Sequence, residues 1–107
     1  MIIGQKLREL REKKGLLLRQ VAAELEVDTA YISKMERGEK NIKREYILRL
    51  AEIYKVKKEE LLIQWLADQV YELVKDEDIA SEVMRATENM IKQNTPKNKK
   101  NNERRIS

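Results

Sequence analysis

Large apolar residues recur every third or fourth position in six successive stretches of the chain, and nowhere do they alternate with the two-residue rhythm of a strand. Ile3, Leu7 and Leu10 mark a first helix over about residues 2–14, closed by Lys13, Lys14 and then Gly15. Leu18, Val21, Ala22 and Leu25 predict a short second helix that ends near Glu26 and Val27. A third runs from an N-capping Asp28 to Arg37, where Gly38 stops it. Ile47, Leu50, Ala51 and Tyr54 give a fourth, closing near Val56, and Lys58 to Lys75 reads as a long fifth. Ile79, Val83, Ala86 and Met90 define a sixth, opened by Asp76, Glu77 and Asp78, whose negative charge suits a helix start. The expected fold class is therefore all-α, within the 107 residues of one ordinary domain and an appendage.

The side-chain inventory removes most chemistry. With no Cys and no His there are no thiolate or imidazole nucleophiles, bases or metal ligands, and the acidic residues show no spacing that suggests a metal site or an acid and base pair. The chain is thus not expected to be an enzyme or to hold a metal or cofactor. No apolar run reaches the roughly 18 residues that cross a bilayer, and the first residues lack a signal-peptide pattern, so a cytoplasmic protein without membrane partners is expected. Charge is unevenly distributed. Residues 1–56 hold 13 Lys and Arg against 9 Asp and Glu, residues 57–93 hold 5 against 9, and residues 94–107 hold 5 against 1. Only the first block and the tail suit a polyanion, although the same pattern fits an ordinary solvated surface.

The third helix is the informative one. At about 100° per residue, Ile32, Met35 and Glu36 share one side, while Ala30, Ser33, Lys34 and Arg37 share the other, with Thr29 in the exposed first turn. A short helix pair joined by a tight turn, the second member presenting a thin, polar and basic face, is what entry into a DNA major groove requires. Glu36 falls on the inward side, where a lone carboxylate is costly and needs a cation.

The run from Gly15 to Gly38 resembles the helix-turn-helix of the phage-repressor (Xre/Cro-type) regulators. The resemblance extends over roughly residues 2–62 and rests on Leu7-Arg8-Glu9-Leu10-Arg11-Glu12-Lys13-Lys14-Gly15, on Ala22, and on Tyr31-Ile32-Ser33-Lys34-Met35-Glu36-Arg37-Gly38. It implies a five-helix, lambda-repressor-like domain over 1–62. It nominates Arg11 as the partner of Glu36, and Thr29, Ala30, Ser33 and Lys34 as base-contacting residues. Their chemistry suits base edges, since Thr and Ala methyls meet thymine methyls, Ser donates or accepts, and Lys reaches guanine acceptors. Arg19, Gln20, Tyr31, Arg37, Lys40, Asn41 and Lys43 are expected at phosphates, which set docking without reading sequence. Three positions depart from the family pattern: Leu17 for a Ser or Thr cap, Leu18 for Gln, and Glu26 for the turn Gly. A residue other than Gly at positive φ costs on the order of 1 kcal/mol.

The minimal domain does not need the long fifth helix or the sixth, so residues 63–93 are expected to form a helical dimerisation extension. Ile63, Leu66, Val70, Leu73, Val74, Val83 and Met90 are the interface candidates, with packing of the sixth helix on the fifth as the alternative. On the fifth helix, Gln64, Asp68, Glu72 and Lys75 occupy one narrow sector, and apolar residues over most of the rest imply that the helix is covered from more than one direction. Residues 94–107, with one large apolar side chain, are expected to be a disordered basic tail. The combined expectation is a homodimeric repressor reading a palindromic double-stranded DNA operator through the third helix. Two alternatives stay open: a controller of a restriction-modification or toxin-antitoxin locus, and a helical protein-interaction adaptor using Leu16-Leu17-Leu18.

Overall fold

The computed structural model describes residues 2–94 as six helices: α1 (Ile2–Lys13), α2 (Leu18–Leu25), α3 (Thr29–Glu36), α4 (Arg44–Tyr54), α5 (Lys58–Val74) and α6 (Ala80–Asn94). No strand occurs among the described residues. They divide into two compact units, one ending at Tyr71 and the other beginning at Glu72.

In the first unit, one apolar face from each of α1 to α5 meets in a single core. Ile3 and Leu7 of α1, Val21 and Leu25 of α2, Ile32 and Met35 of α3, Ile47, Leu50 and Tyr54 of α4 and Leu61 of α5 are all removed from water. Burial of such side chains, worth about 1.5–3 kcal/mol each, is what holds helices this short, since α2 and α3 are far below the length at which an isolated helix persists. Ala22 is buried where α2 packs on α3, the role its small side chain suggests.

Four helices of this unit end in the same way. Gly15, Glu26, Gly38 and Lys55 take left-handed φ values of 71°, 60°, 77° and 55°. In each case the next residue's N–H reaches back five positions, as from Leu16 to the Arg11 carbonyl at 3.0 Å and from Val27 to that of Ala22 at 3.0 Å. This pairing satisfies carbonyls that a helix end otherwise leaves open. At Glu26 and Lys55 the side chain carries the left-handed penalty anticipated for Glu26, and the paired carbonyls and core packing offset it.

One sequence expectation is corrected here, and one residue has a role that the sequence leaves open. Asp28 does occupy the N-cap of α3, with φ −71° and ψ 149°, but its side chain makes no capping hydrogen bond. In the polar sector of α5, Asp68 is buried and its carboxylate accepts the Ile3 N–H at 2.6 Å. A carboxylate there answers one of the free amides opening α1 and suits the positive end of its dipole. Lys6 and Glu60 add a second tie between α1 and α5, at 3.0 Å. The outer side of α5 is apolar, with Ile63, Leu66, Val70 and Tyr71 exposed.

In the second unit, Val74 is buried, and Glu77 donates to its carbonyl at 2.9 Å in the turn that follows α5. No residue of α6 is buried. Val83 is half-buried, while Met84, Met90 and Ile91 are exposed, as is Leu73 at the end of α5. Asn94, placed by the sequence in the tail, is the last residue of α6 and donates to the Met90 carbonyl at 2.9 Å. The rest of the expected basic tail, 95–107, lies outside the described residues.

Gly4 has a role that periodicity does not reveal. A Cβ at this position would lie 2.5 Å from the Met35 carbonyl oxygen and 2.8 Å from that of Glu36, so the first turn of α1 runs directly against the end of α3. Helix propensity alone predicts that Gly4→Ala stabilises by about 1 kcal/mol. The geometry predicts the opposite sign, a loss of about 1–3 kcal/mol, to be read from urea unfolding midpoints.

Candidate nucleic-acid interface

The site is built on α2, the turn 26–28, α3 and the loop into α4. Leu17 is the N-cap of α2 and has no polar side-chain atom to offer, so only half of a capping box forms: the Leu17 N–H donates to Gln20 Oε1 at 2.7 Å. Gln20 therefore has its oxygen committed to the backbone and only its amide NH₂ left for an outside partner. Arg19 beside it is exposed. Arg49 of α4 donates to the Glu24 carbonyl and joins α4 to α2.

Helix α3 divides as its wheel predicts. Ile32 and Met35 are buried, whereas Thr29, Ala30 and Lys34 are exposed, and Ser33 is half-buried. The inner side is locked by a fork of two hydrogen bonds, from Arg11 Nε to Glu36 Oε2 at 2.7 Å and from Nη2 to Oε1 at 3.1 Å. Arg11 Nη1 also donates to the Leu16 carbonyl at 3.0 Å, so one guanidinium joins α1, the loop before α2 and α3. Both side chains are largely buried, with 11% and 6% exposed. The Glu36 hydrogen bond holds the Arg11 guanidinium above its ordinary pKa, against the opposing effect of burial.

Beyond α3, Ile42 is buried and pins the loop to the core, and Trp65 Nε1 of α5 donates to the Ile42 carbonyl at 2.8 Å. Lys40, Asn41 and Lys43 on either side of that anchor stay exposed. The Lys40 ammonium lies 5.7 Å from the Tyr31 ring centroid, and Tyr31 packs edge-on against Tyr46 at 5.8 Å. Tyr31 is thus half-buried in the core's margin, a platform under Lys40 as much as a free surface group. Arg37 is engaged too: its Nε and Nη2 donate to the two Glu39 oxygens at 2.9 and 3.1 Å, and its Nη1 to Ser33 Oγ at 2.5 Å.

The structure therefore brings Ser33 and Arg37 together, and Tyr31 with Lys40. Ile63, Leu66 and Val70 lie exposed on α5, and Leu73 and Met90 are exposed in the second unit, where Val74 is buried. Sequence reasoning missed Glu39, Trp65 and Asp68. A Trp on an apolar helix face is the one signal that could have drawn attention to Trp65; Glu39 and Asp68 act through partners that no periodicity specifies. No cluster of possible metal ligands occurs among the described residues, and no described helix is long and apolar enough to cross a membrane.

Residues 2–62 match the helix-turn-helix domain family, and the chain belongs to it. It is similar to the HTH-type transcriptional regulator DdrOP3 of Deinococcus deserti, 34% identical over 71 residues that cover 64% of this chain and 55% of the relative. The chain thus spans about half the length of that curated relative. No solved structure matches it.

The locked inner side also has a measurable pH signature. Burial, and next the Glu36 charge, push the Tyr54 hydroxyl well above its ordinary value. The folded state therefore holds that proton more tightly than the unfolded chain. Its contribution to stability is fully present below the unfolded value near pH 10 and is lost as pH rises beyond it, by about 1.4 kcal/mol per pH unit. Tyr54→Phe is expected to flatten the fall in stability above about pH 10 relative to the wild type, as read from urea unfolding on both sides of that pH.

Proposed function

We propose that the protein is a sequence-specific double-stranded DNA-binding transcriptional regulator of the phage-repressor (Xre/Cro) type, a homodimeric repressor that occupies a palindromic operator. The observation that carries this reading is the two-sidedness of α3: its inner residues are fixed by the core and by Arg11, which leaves Thr29, Ala30 and Lys34 outward on a rigid support. A major groove admits a helix with small and polar outward side chains. The name of the Deinococcus relative, a transcriptional regulator, supports the regulatory role.

In this reading Thr29, Ala30, Ser33 and Lys34 contact bases. Arg19, the Gln20 amide, Tyr31, Arg37, Lys40, Asn41 and Lys43 hold phosphates and fix the depth of docking. The exposed apolar side of α5, with Ile63, Leu66 and Val70, supports pairing with a second copy, to which Leu73, Val83 and Met90 contribute; Val74 is too buried to do so. Two heads about 34 Å apart would read two half-sites, which multiplies discrimination. One observation favours a second reading, a protein-interaction adaptor: Leu17, 47% exposed, offers an apolar group where a phosphate-binding cap would serve DNA better.

Selection of bound duplexes from a random pool separates these readings. The regulator reading expects a palindrome, bound as two chains per duplex in sedimentation equilibrium, with affinity that falls steeply as salt rises. Lys34→Ala and Ser33→Ala should change base preference at a cost of about 1–3 kcal/mol, whereas Lys43→Ala should weaken all duplexes alike and lower the salt slope by about 1. Recovery of no preferred duplex, with binding insensitive to salt, would favour the adaptor.

A further inference from the structure

We propose that Glu39 is a specificity-determining residue of the DNA-reading face: its carboxylate occupies the Arg37 fork that a backbone phosphate would take, and so holds down sequence-independent affinity. The proposal rests on the DNA-binding reading above and names a regulator of that same site.

A carboxylate and a phosphate present the same pair of oxygens to a guanidinium, so they compete for one fork. Glu39 meets Arg37 in that two-point geometry, at 2.9 and 3.1 Å. Its main chain is fixed as well: the Glu39 N–H donates to the Lys34 carbonyl at 2.9 Å as part of the α3 ending that Gly38 permits at φ 77°. The acid is therefore placed next to Arg37 by the helix terminus, and it sits within a basic stretch that includes Lys34, Lys40 and Lys43. The Arg37 hydrogen bond, and more weakly the Lys34 charge, hold the Glu39 carboxyl below its ordinary value, so it is anionic at neutral pH.

The third contact of Arg37 links this clamp to base reading. Ser33 Oγ, a base-contacting candidate, accepts from Arg37 Nη1 at 2.5 Å. On a matching base the Ser33 hydroxyl turns to the groove, and Arg37 loses one of its three anchors. The remaining pair with Glu39 is half-exposed, at 52% and 54%, and an exposed pair is weak enough for phosphate to displace. On mismatched DNA all three contacts persist, and the carboxylate adds repulsion from the backbone. Release of Arg37 to phosphate is thus coupled to the correct sequence.

The test measures wild type, Glu39→Gln, Arg37→Ala and the double variant on a selected duplex and on its scrambled counterpart, between about 50 and about 200 mM salt. Glu39→Gln is expected to tighten binding of the scrambled duplex about five- to tenfold at about 0.1 M salt and to make the slope of log affinity against log salt steeper by about 0.9, as for one added phosphate contact. The selected duplex should gain less, so the ratio between the two falls. In the Arg37→Ala background the same substitution should change the slope and the affinity much less, since only the repulsion from the backbone is then removed. Wild-type affinities and slope in Glu39→Gln, or an equal gain in the Arg37→Ala background, would overturn the role of Glu39 while leaving DNA binding intact. A wild-type chain that binds neither duplex at about 50 mM salt overturns the DNA reading, and the role of Glu39 with it.

Discussion

The carboxylate on the buried side of α3 is held by a cation with matching geometry, and that one pair ties three segments of the first unit together. Arg11 reaches Glu36 from α1 through a two-point fork and uses its remaining nitrogen on the Leu16 carbonyl. Three segments are thereby held at one point, and α3 cannot rotate about its axis without abandoning a desolvated charge. Removal of either partner from a pair buried to this extent costs about 3–5 kcal/mol, mostly because the other charge is stranded. Such a pair contributes more to fixing one arrangement than to net stability. That rigidity determines which side chains of α3 face outward.

Control of direction recurs at the helix ends. With α2 and α3 each 8 residues long, the path of the chain depends on how each helix stops. Repeated left-handed terminations at Gly15, Glu26, Gly38 and Lys55 give four sharp, hydrogen-bonded changes of direction without long loops. At Glu26 the local strain is tolerated because Val27 and Glu26 together satisfy the Ala22 and Ala23 carbonyls. The loop after α3 is treated differently. Its backbone is held from α5, by the Trp65 hydrogen bond to Ile42, so the helix that offers an exposed apolar side also sets the position of the basic loop.

Helix order and the two sides of α3 are legible in the sequence because a 3.6-residue period is a geometric property of the helix itself. Ile32 and Met35 on one side and Ala30 and Lys34 on the other need no tertiary information. What escapes is whatever depends on a partner distant in sequence or outside any period. Asp68 reads only as one member of a polar sector until the Ile3 amide is seen opposite it, 65 positions away. Gly4 looks like a weak point in a helix, and only the closeness of the Met35 carbonyl gives it a purpose. Asp28 shows the reverse error, a residue of the right type at the right position whose side chain takes no part in the cap. Within the candidate interface, the identity of the outward residues is visible from sequence, whereas their commitments to Gln20's cap, the Tyr31 platform and the Arg37 clamp are not.

Entry of the outward side of α3 into a DNA groove is the central claim. Titrating the isotope-labelled protein with a selected duplex, and following backbone amides and methyl contacts by NMR, tests it most directly. The largest shifts are expected at Thr29 to Lys34 and at Lys40 to Lys43, with the Ala30 methyl in contact with a thymine methyl of the major groove. Shifts confined to Leu16, Leu17 and Leu18 or to α6, with α3 unchanged at saturating duplex, would contradict it.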